Sequence, residues 1–293
     1  MRTLFLLILH LVTIFIKQLS PTNKMEKTKV LFISQEITPY LPESQMSKIG
    51  RYLPQGIQEK GKEIRTFMPR FGCINERRNQ LHEVIRLSGM NLIIDDTDHP
   101  LIIKVASIQA ARMQVYFIDN EDYFHRKATL TNKEGIEYED NDERAIFFAR
   151  GVLETTKKLR WAPDVIHCHG WFTGLVPLYI KKAMNEDPHF ANSKLVYSVY
   201  NDGFTSTFPD SFAEKFMLEG VSKDDFAGLA PFNFENLSKL AINFSDGIIQ
   251  GDPEANQNII DYAKGSGKPF LDFQDEESYV DAFNKFYDDL LDK

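Results

Sequence analysis

Short apolar runs alternate with helix-length amphipathic segments along most of the chain, and this alternation limits the possible folds more than any other feature. The apolar runs are rich in Val, Ile and Phe and are too short for helices, which is typical of buried strands. They cover residues 29–34, 64–68, 115–119, 164–167, 195–200 and 247–250. The predicted helices cover residues 47–60, 142–160, 236–244 and 253–263. This order predicts an α/β fold, a Rossmann-like doubly wound parallel sheet with helices on both faces.

Two further apolar runs, residues 91–95 and 101–105, flank the sequence DTDHP. They predict a β-hairpin inserted into the strand and helix alternation. Near the C-terminus, residues 275–293 carry apolar side chains at helical spacing with acids on the opposite face. We therefore expect a Rossmann-like domain over residues 25–270 and an amphipathic helix within residues 271–293 that packs on it.

The first 24 residues form a hydrophobic extension in which an arginine precedes the apolar run 3–16. This run is shorter than the ~20 residues that span a bilayer, and its length suits a signal peptide. No small-x-small cleavage site follows Ile16. We expect Met25 to be the functional start, or residues 1–24 to be dispensable, and a secreted or anchored form is the alternative.

Composition excludes several classes of partner. The formal net charge of −8 leaves no basic excess to neutralise phosphates, so we expect no nucleic-acid partner, and we expect no membrane partner either. The two cysteines, Cys73 and Cys168, are far apart and show no CxxC spacing, which indicates neither a zinc site nor a disulfide framework. These features favour a cytoplasmic protein without a cofactor.

The sequence DVIHCHGWFTG, residues 164–174, places two histidines at the end of a predicted strand. Side chains alternate along a strand, so His167 and His169 face one side and Cys168 faces the other. Ligands of doubly wound sheets bind beyond such carboxyl ends. Two imidazoles there could hold a metal or a sugar hydroxyl, but no further metal ligand follows at a recognisable spacing, so we expect no metal. Buried histidines that bond the backbone are the alternative.

Two other segments carry residue types that are found in binding sites. KGSGKPF, residues 264–270, lacks the Gly at 262 and the Ser or Thr at 269 that a phosphate-binding P-loop requires, and it predicts a helix end and a turn. In FIDNEDYFHR, residues 117–126, Asp119 and the acids that follow it could bind a divalent cation or act as a general base. The alternative is an Asx-rich strand end that caps the next turn.

Over residues 29–263 the sequence resembles the N-terminal domain of bacterial glycogen synthases and plant starch synthases. The stretches that carry the resemblance are LPQGIQEKGKEIRTFMPRFGCI, VYFIDNEDYFHR, YEDNDERAIFFARGVLE, PDVIHCHGWFTGLVPLYIK and NLSKLAINFSDGII. The resemblance implies one half of a GT-B glycosyltransferase. It also implies retaining transfer of glucose from ADP-glucose to the non-reducing end of an α-1,4-glucan.

The resemblance also implies roles for individual residues. His169 would contact the transferred glucose together with Asn201, and it is the family's second motif histidine. The implied substrate-binding residues are His167, Trp171, Tyr200 and Asp119. The family's motif aspartate is Gly170 here, and the histidine of its Ile-His-Asn motif is Tyr200.

The family's phosphate loop, Lys-x-Gly-Gly, aligns without a gap to Pro42, Glu43, Ser44 and Gln45. The cation is absent at Pro42, and Glu43 adds an anion where the resemblance places a diphosphate, which is electrostatically unfavourable. The implied phosphate loop is therefore degenerate.

Three hypotheses follow. The family's second, donor-binding domain needs roughly 200 residues, whereas about thirty follow Ala263. The first hypothesis is a synthase-like transferase whose donor half comes from a separate partner chain. The second is a catalytically inactive half that binds glucan or a protein. The third, a generic Rossmann-like binder of small molecules, lacks a GxGxxG after any strand.

Overall fold

The computed structural model describes residues 26–293, so the predictions for residues 1–24 and for a start at Met25 lie outside the described residues. The strands are β1 Lys29–Ser34, β2 Glu63–Pro69, β3 His82–Glu83, β4 Met90–Ile94, β5 Thr97–Ile108, β6 Met113–Asp119, β7 Val165–His169, β8 Lys194–Val199, β9 Gly247–Gln250 and β10 Phe270–Leu271. They form a sheet in the order β10-β9-β8-β7-β1-β2-β6-β5-β3, and β4 pairs with β5.

The helices in chain order are α1 Gln45–Glu59, α2 Glu76–Asn79, α3 Glu121–Phe124, α4 Asn141–Lys158, α5 Val176–Leu178, α6 Phe212–Phe216, α7 Phe234–Phe244, α8 Gln257–Gly265 and α9 Tyr279–Leu291. α5 continues directly into a π-helical turn at Tyr179–Ala183. Within residues 26–293 no helix combines the length and the apolar character needed to cross a bilayer.

The predicted α/β architecture is confirmed. Neighbouring strands from β10 to β6 are all parallel, and β1 lies at the centre between β7 and β2. Alternate residues of β1 enter different hydrophobic clusters: Leu31 and Ile33 face one layer of helices, and Val30 and Phe32 face the other. Burial on both faces is why this strand is a continuous apolar run.

The predicted hairpin is present but is built into the main sheet. β4 and β5 pair antiparallel around a tight turn in which Asp95 and Asp96 both have positive φ, 49° and 59°. β5 is 12 residues long, and its part Ile102–Ile108 pairs antiparallel with β6. The connection is shorter than the predicted DTDHP segment because Thr97 and the residues after it already belong to the strand.

α9 packs beside α1 on the face of the sheet formed by β1, β7, β8 and β9. Its apolar side chains belong to the cluster that contains Val30, Phe32 and Val165. Two glycines allow the close approach: a Cβ on Gly56 would lie 2.6 Å from Val280, and one on Gly247 would lie 2.8 Å from the Phe286 ring. The helix begins at Tyr279, within the predicted range, and follows a turn in which the Asp275 carboxylate accepts the N–H of Ser278.

We expect Gly247→Ala to destabilise the protein by about 1–3 kcal/mol, because the added methyl group overpacks the contact with Phe286. Gly265→Ala is the matched control, since a Cβ at Gly265 meets open space at the end of α8. Urea unfolding of both variants measures the difference. Equal midpoints for the two would show that α9 is not tightly docked on the sheet.

Candidate functional site

The carboxyl ends of β1, β7 and β8 bring three loops together at the centre of the sheet. Because these strands are parallel neighbours, the residues that follow them lie at one edge. Gln35 donates its backbone N–H to the carbonyl of His169, and Gly170 donates its own to the carbonyl of Ser198. The loop after β8 contains Asn201. The resulting cluster is where the sequence predicted a site.

The two histidine rings lie against each other on one side of β7, with centroids 3.8 Å apart and planes inclined by 36°. Nδ1 of His167 lies 2.6 Å from the Tyr287 hydroxyl of α9, and its Nε2 lies 2.7 Å from the Ser198 hydroxyl. Nδ1 of His169 lies 2.8 Å from the Tyr200 hydroxyl. Nε2 of His169 is buried and has no hydrogen-bond partner among the described residues. Side chains, rather than the backbone, therefore hold both imidazoles.

Burial keeps both imidazoles neutral. It lowers the pKa of His167 well below the usual range, and the neighbouring His169 lowers it further. Burial also lowers the pKa of His169 to about 3. A neutral imidazole can accept or donate a hydrogen bond to a sugar hydroxyl, but it carries no charge for acid catalysis near pH 7. Residues 26–293 contain no cluster of three or more His, Cys, Asp or Glu side chains that could hold a metal ion.

A carboxylate occupies the space beside Gly170. The glycine has a φ of +83°, and a Cβ at this position would lie 2.6 Å from Oδ2 of Asp202 and 2.5 Å from Cε of Met46. The same Oδ2 accepts the backbone N–H of Trp171 at 2.8 Å. Burial raises the pKa of Asp202 to about 7, and the nearby acids Glu36 and Asp252 add to this rise. Sequence reasoning missed Asp202 because no motif marks it.

Trp171 lies beneath the loop that follows β8. Its ring is 1% exposed and packs against Phe204 and Phe208, with centroids 4.6 and 5.8 Å away. The Glu137 carboxylate holds this loop by accepting the N–H groups of Thr205 and Ser206. Asn201 is exposed at the start of the loop. A ligand would therefore reach Asn201 directly, and Trp171 only after the loop moves.

The structure does not bring Asp119 to the histidines. It ends β6, which β2 separates from β1. Its carboxylate lies 2.9 Å from both Arg70 Nε and Lys104 Nζ, so two cations neutralise it. Asn120 caps α3 by accepting the N–H groups of Asp122 and Tyr123.

The N-terminus of α1 is capped by the protein's own groups. Ser44 Oγ accepts the N–H of Ser47, and Ser47 Oγ accepts the N–H of Ser44. The Ser44 hydroxyl also donates to the Glu36 carboxylate at 2.6 Å. Pro42 and Glu43 are exposed just before this capping box. A helix N-terminus is ordinarily a favourable site for an anion, but here a carboxylate of the chain already faces it.

A Rossmann-like sheet with two histidines at the end of a central strand is the arrangement that the resemblance predicts for one half of a GT-B glycosyltransferase. The family model described as the starch synthase catalytic domain matches residues 29–269, and the chain belongs to this family.

Individual relatives agree with this assignment. The chain is 37% identical over 195 residues to a glycogen synthase of Chlorobium limicola and 36% identical over 195 residues to one of Chlorobium luteolum. Each match covers 66% of this chain and 40% of the relative, so the chain spans well under half of their length. The catalytic domain of starch synthase IV from Arabidopsis thaliana, solved with ADP and acarbose, shares the fold with a TM-score of 0.70 at 18% identity. That likeness covers 87% of this chain and 53% of the plant structure.

We expect the free energy of unfolding to depend less on pH in His169→Asn than in the wild type. The unfolded chain protonates this histidine below its ordinary pKa of 6.5, whereas the folded chain does so only near pH 3. The stability that neutral His169 contributes is thus fully present above pH 6.5. Below pH 6.5 this stability falls by about 1.4 kcal/mol for each pH unit. Urea titrations between pH 7 and pH 4 measure the effect, with the exposed Ile85→Ala as control. A constant difference between variant and wild type over this range would contradict neutral burial.

Asp202→Asn should raise the melting temperature at pH 8. The pKa of Asp202 is 3.8 in the unfolded chain and about 7 in the folded chain. The folded chain therefore loses stability as the pH rises from about 4 to about 7. An asparagine oxygen can still accept the Trp171 N–H without a buried charge. The gain should shrink at pH 4, where the carboxyl is largely protonated. Thermal melts at both pH values, with the exposed Asp210→Asn as control, provide the measurement, and a loss of stability at pH 8 would refute this expectation.

Proposed function

We propose that this domain binds α-glucan and that it does not itself hold the diphosphate of a nucleotide-sugar donor. The observation that carries the proposal is the closed N-terminus of α1, where Ser44, Ser47 and Glu36 satisfy one another. Family membership supports the glucan half of the proposal. The curated relatives are named glycogen synthases, and the plant structure is described as bound to acarbose as well as ADP.

The charge at this helix end argues against a diphosphate ligand. The phosphate loop of the resemblance supplies a lysine and two glycines, whereas Pro42 supplies neither a cation nor a backbone N–H donor. Glu36 and Glu43 place two carboxylates near the position that a phosphate would take. Each lost charge-assisted hydrogen bond weakens donor binding by about 1.5–3 kcal/mol. The domain is thus a transferase half with little affinity for a donor.

The strand-end cluster supplies neutral contacts for a sugar in this proposal. Asn201 is exposed and carries both a donor and an acceptor. The unpartnered Nε2 of His169 lies deeper, in a buried ring whose Nδ1 bonds the Tyr200 hydroxyl and whose neighbours include Phe32 and His167. A sugar hydroxyl would reach this nitrogen only after the side chains that bury it move. None of these contacts requires a charge on the ligand.

A second candidate function is glucosyl transfer from ADP-glucose, with a separate chain supplying the donor half. The observation in its favour is that His167, His169 and Asn201 remain at neighbouring strand ends, where the resemblance places the sugar contacts. For this function the contact between Glu36 and Ser44 would have to open before a phosphate could approach α1.

We expect the purified chain to be retarded in glycogen-loaded gels and to incorporate no labelled glucose from ADP-glucose into glycogen. His169→Ala serves as the blank for the transfer assay. Incorporation by the purified chain that depends on His169 would refute the first candidate and would also show that transfer needs no separate chain. Unchanged mobility at high glycogen would refute glucan binding.

Substitutions that restore the family's phosphate loop test whether the charge and shape of this helix end keep a diphosphate from binding. We expect Pro42→Lys combined with Ser44→Gly and Gln45→Gly to bind ADP at least about tenfold more tightly than the wild type, a gain of about 1.4 kcal/mol from a recovered charge-assisted contact. Pro42→Lys alone is the matched control for added charge. Calorimetric titration with ADP gives the affinities. Equal and tight binding by the wild type would show that the closed helix end does not exclude phosphates.

A further inference from the structure

A groove runs between α1 and the start of α9, and none of its residues belongs to the histidine cluster. Its volume is about 440 Å³. It is lined by Glu43, Gln45, Lys48, Ile49, Tyr52, Glu276 and Tyr279. The α1 residues at 45, 48, 49 and 52 are spaced three or four apart, so they form one face of the helix. We call this feature the α1–α9 groove.

The groove presents an aromatic ring to solvent over an apolar floor. Tyr52 is 52% exposed, which is unusual for so large a side chain in this protein. Ile49 and Tyr279 lie buried beneath at 6% and 8% exposure. The Arg51 guanidinium lies over one face of this ring, 4.9 Å from its centre, so a ligand would stack on the opposite face, with the phenol hydroxyl at its edge. A pyranose ring has a matching shape, with a flat C–H face and hydroxyls around its edge.

The polar rim carries both donors and acceptors that are not fully engaged. Lys48 Nζ lies 4.0 Å from the Glu43 carboxylate and 3.8 Å from that of Glu276, at the limit of an ion pair. Both carboxylates are largely exposed. Gln45 adds an amide. Hydroxyl groups can bond amines, carboxylates and amides alike, whereas two carboxylates against one amine disfavour an anionic ligand.

The groove opens at the same edge of the sheet as the histidines. α1 follows β1 and α9 follows β10, and both strands run parallel to their neighbours, so both helices begin at the carboxyl edge. A polysaccharide that lies along this edge could therefore contact Asn201 and the groove together.

We propose that the α1–α9 groove is a binding site for an uncharged α-glucan, with a pyranose stacked on Tyr52 and its hydroxyls bonded by Lys48, Gln45 and the two glutamates. This inference rests on the proposed glucan binding and assigns part of that binding to a surface separate from the strand-end cluster. The groove discriminates against phosphorylated ligands because of its net negative rim.

Calorimetric titration of the full chain with maltoheptaose, together with glycogen-loaded gels, tests the site. We expect Tyr52→Ala to weaken maltoheptaose binding by at least about tenfold, because stacking on an aromatic ring is lost. Glu276→Ala, whose side chain is 81% exposed and does not support the fold, should weaken it by a smaller factor. Tyr262→Ala, on α8 and outside the groove, is the aromatic control and should bind as the wild type does. Thermal melts confirm that each variant is folded.

The outcomes separate this inference from the proposed function. Wild-type binding that is unchanged in folded Tyr52→Ala and in Glu276→Ala would overturn the groove and leave glucan binding in place. A wild type that binds neither maltoheptaose nor glycogen would overturn both. Tighter binding of ADP than of maltoheptaose, with sensitivity to Tyr52→Ala, would overturn the assignment to an uncharged ligand.

Discussion

The hydrogen bonds of His167 hold together the elements on which the rest of the structure depends. One imidazole on β7 bonds Ser198 on β8 and Tyr287 on α9, which lies 120 positions further along the chain. A buried polar ring must find partners, so this pairing and the apolar contacts of α9 together set where the helix lies on the sheet. α9 in turn covers the faces of β1 and β9 and forms one wall of the groove beside α1. The hydrogen bonds of one imidazole thus link the strand ends to the helix that forms one wall of the groove.

Much of the fold could be predicted because strands buried on both faces leave a clear apolar signal. β1 and β9 have the predicted bounds. β7 runs to His169, two residues further than predicted, because histidines pair with β1 without any apolar pattern to mark them. β10 was not predicted, since two residues carry no periodicity and the strand exists only through its pairing with β9.

The candidate site could be predicted only in part. Alternation along β7 placed the two histidines on one side of the sheet, as the structure has them. Their partners come from distant positions, and the covering of Trp171 by Phe204 and Phe208 depends on how a long loop folds back. No local pattern encodes such contacts. Asp202 was not predicted for the same reason, because only the folded structure places its carboxylate beside Gly170.

The backbone at Gly170 limits which side chain this strand end can carry. Its φ of +83° and ψ of 165° are ordinarily reached only by glycine, and a Cβ would lie within 2.6 Å of the side-chain ends of Met46 and Asp202. An aspartate here, as in the resembled motif, would therefore strain the backbone and push both side chains aside. The two histidines can keep their places on β7 without that aspartate only because the chain turns through a conformation that glycine alone adopts easily.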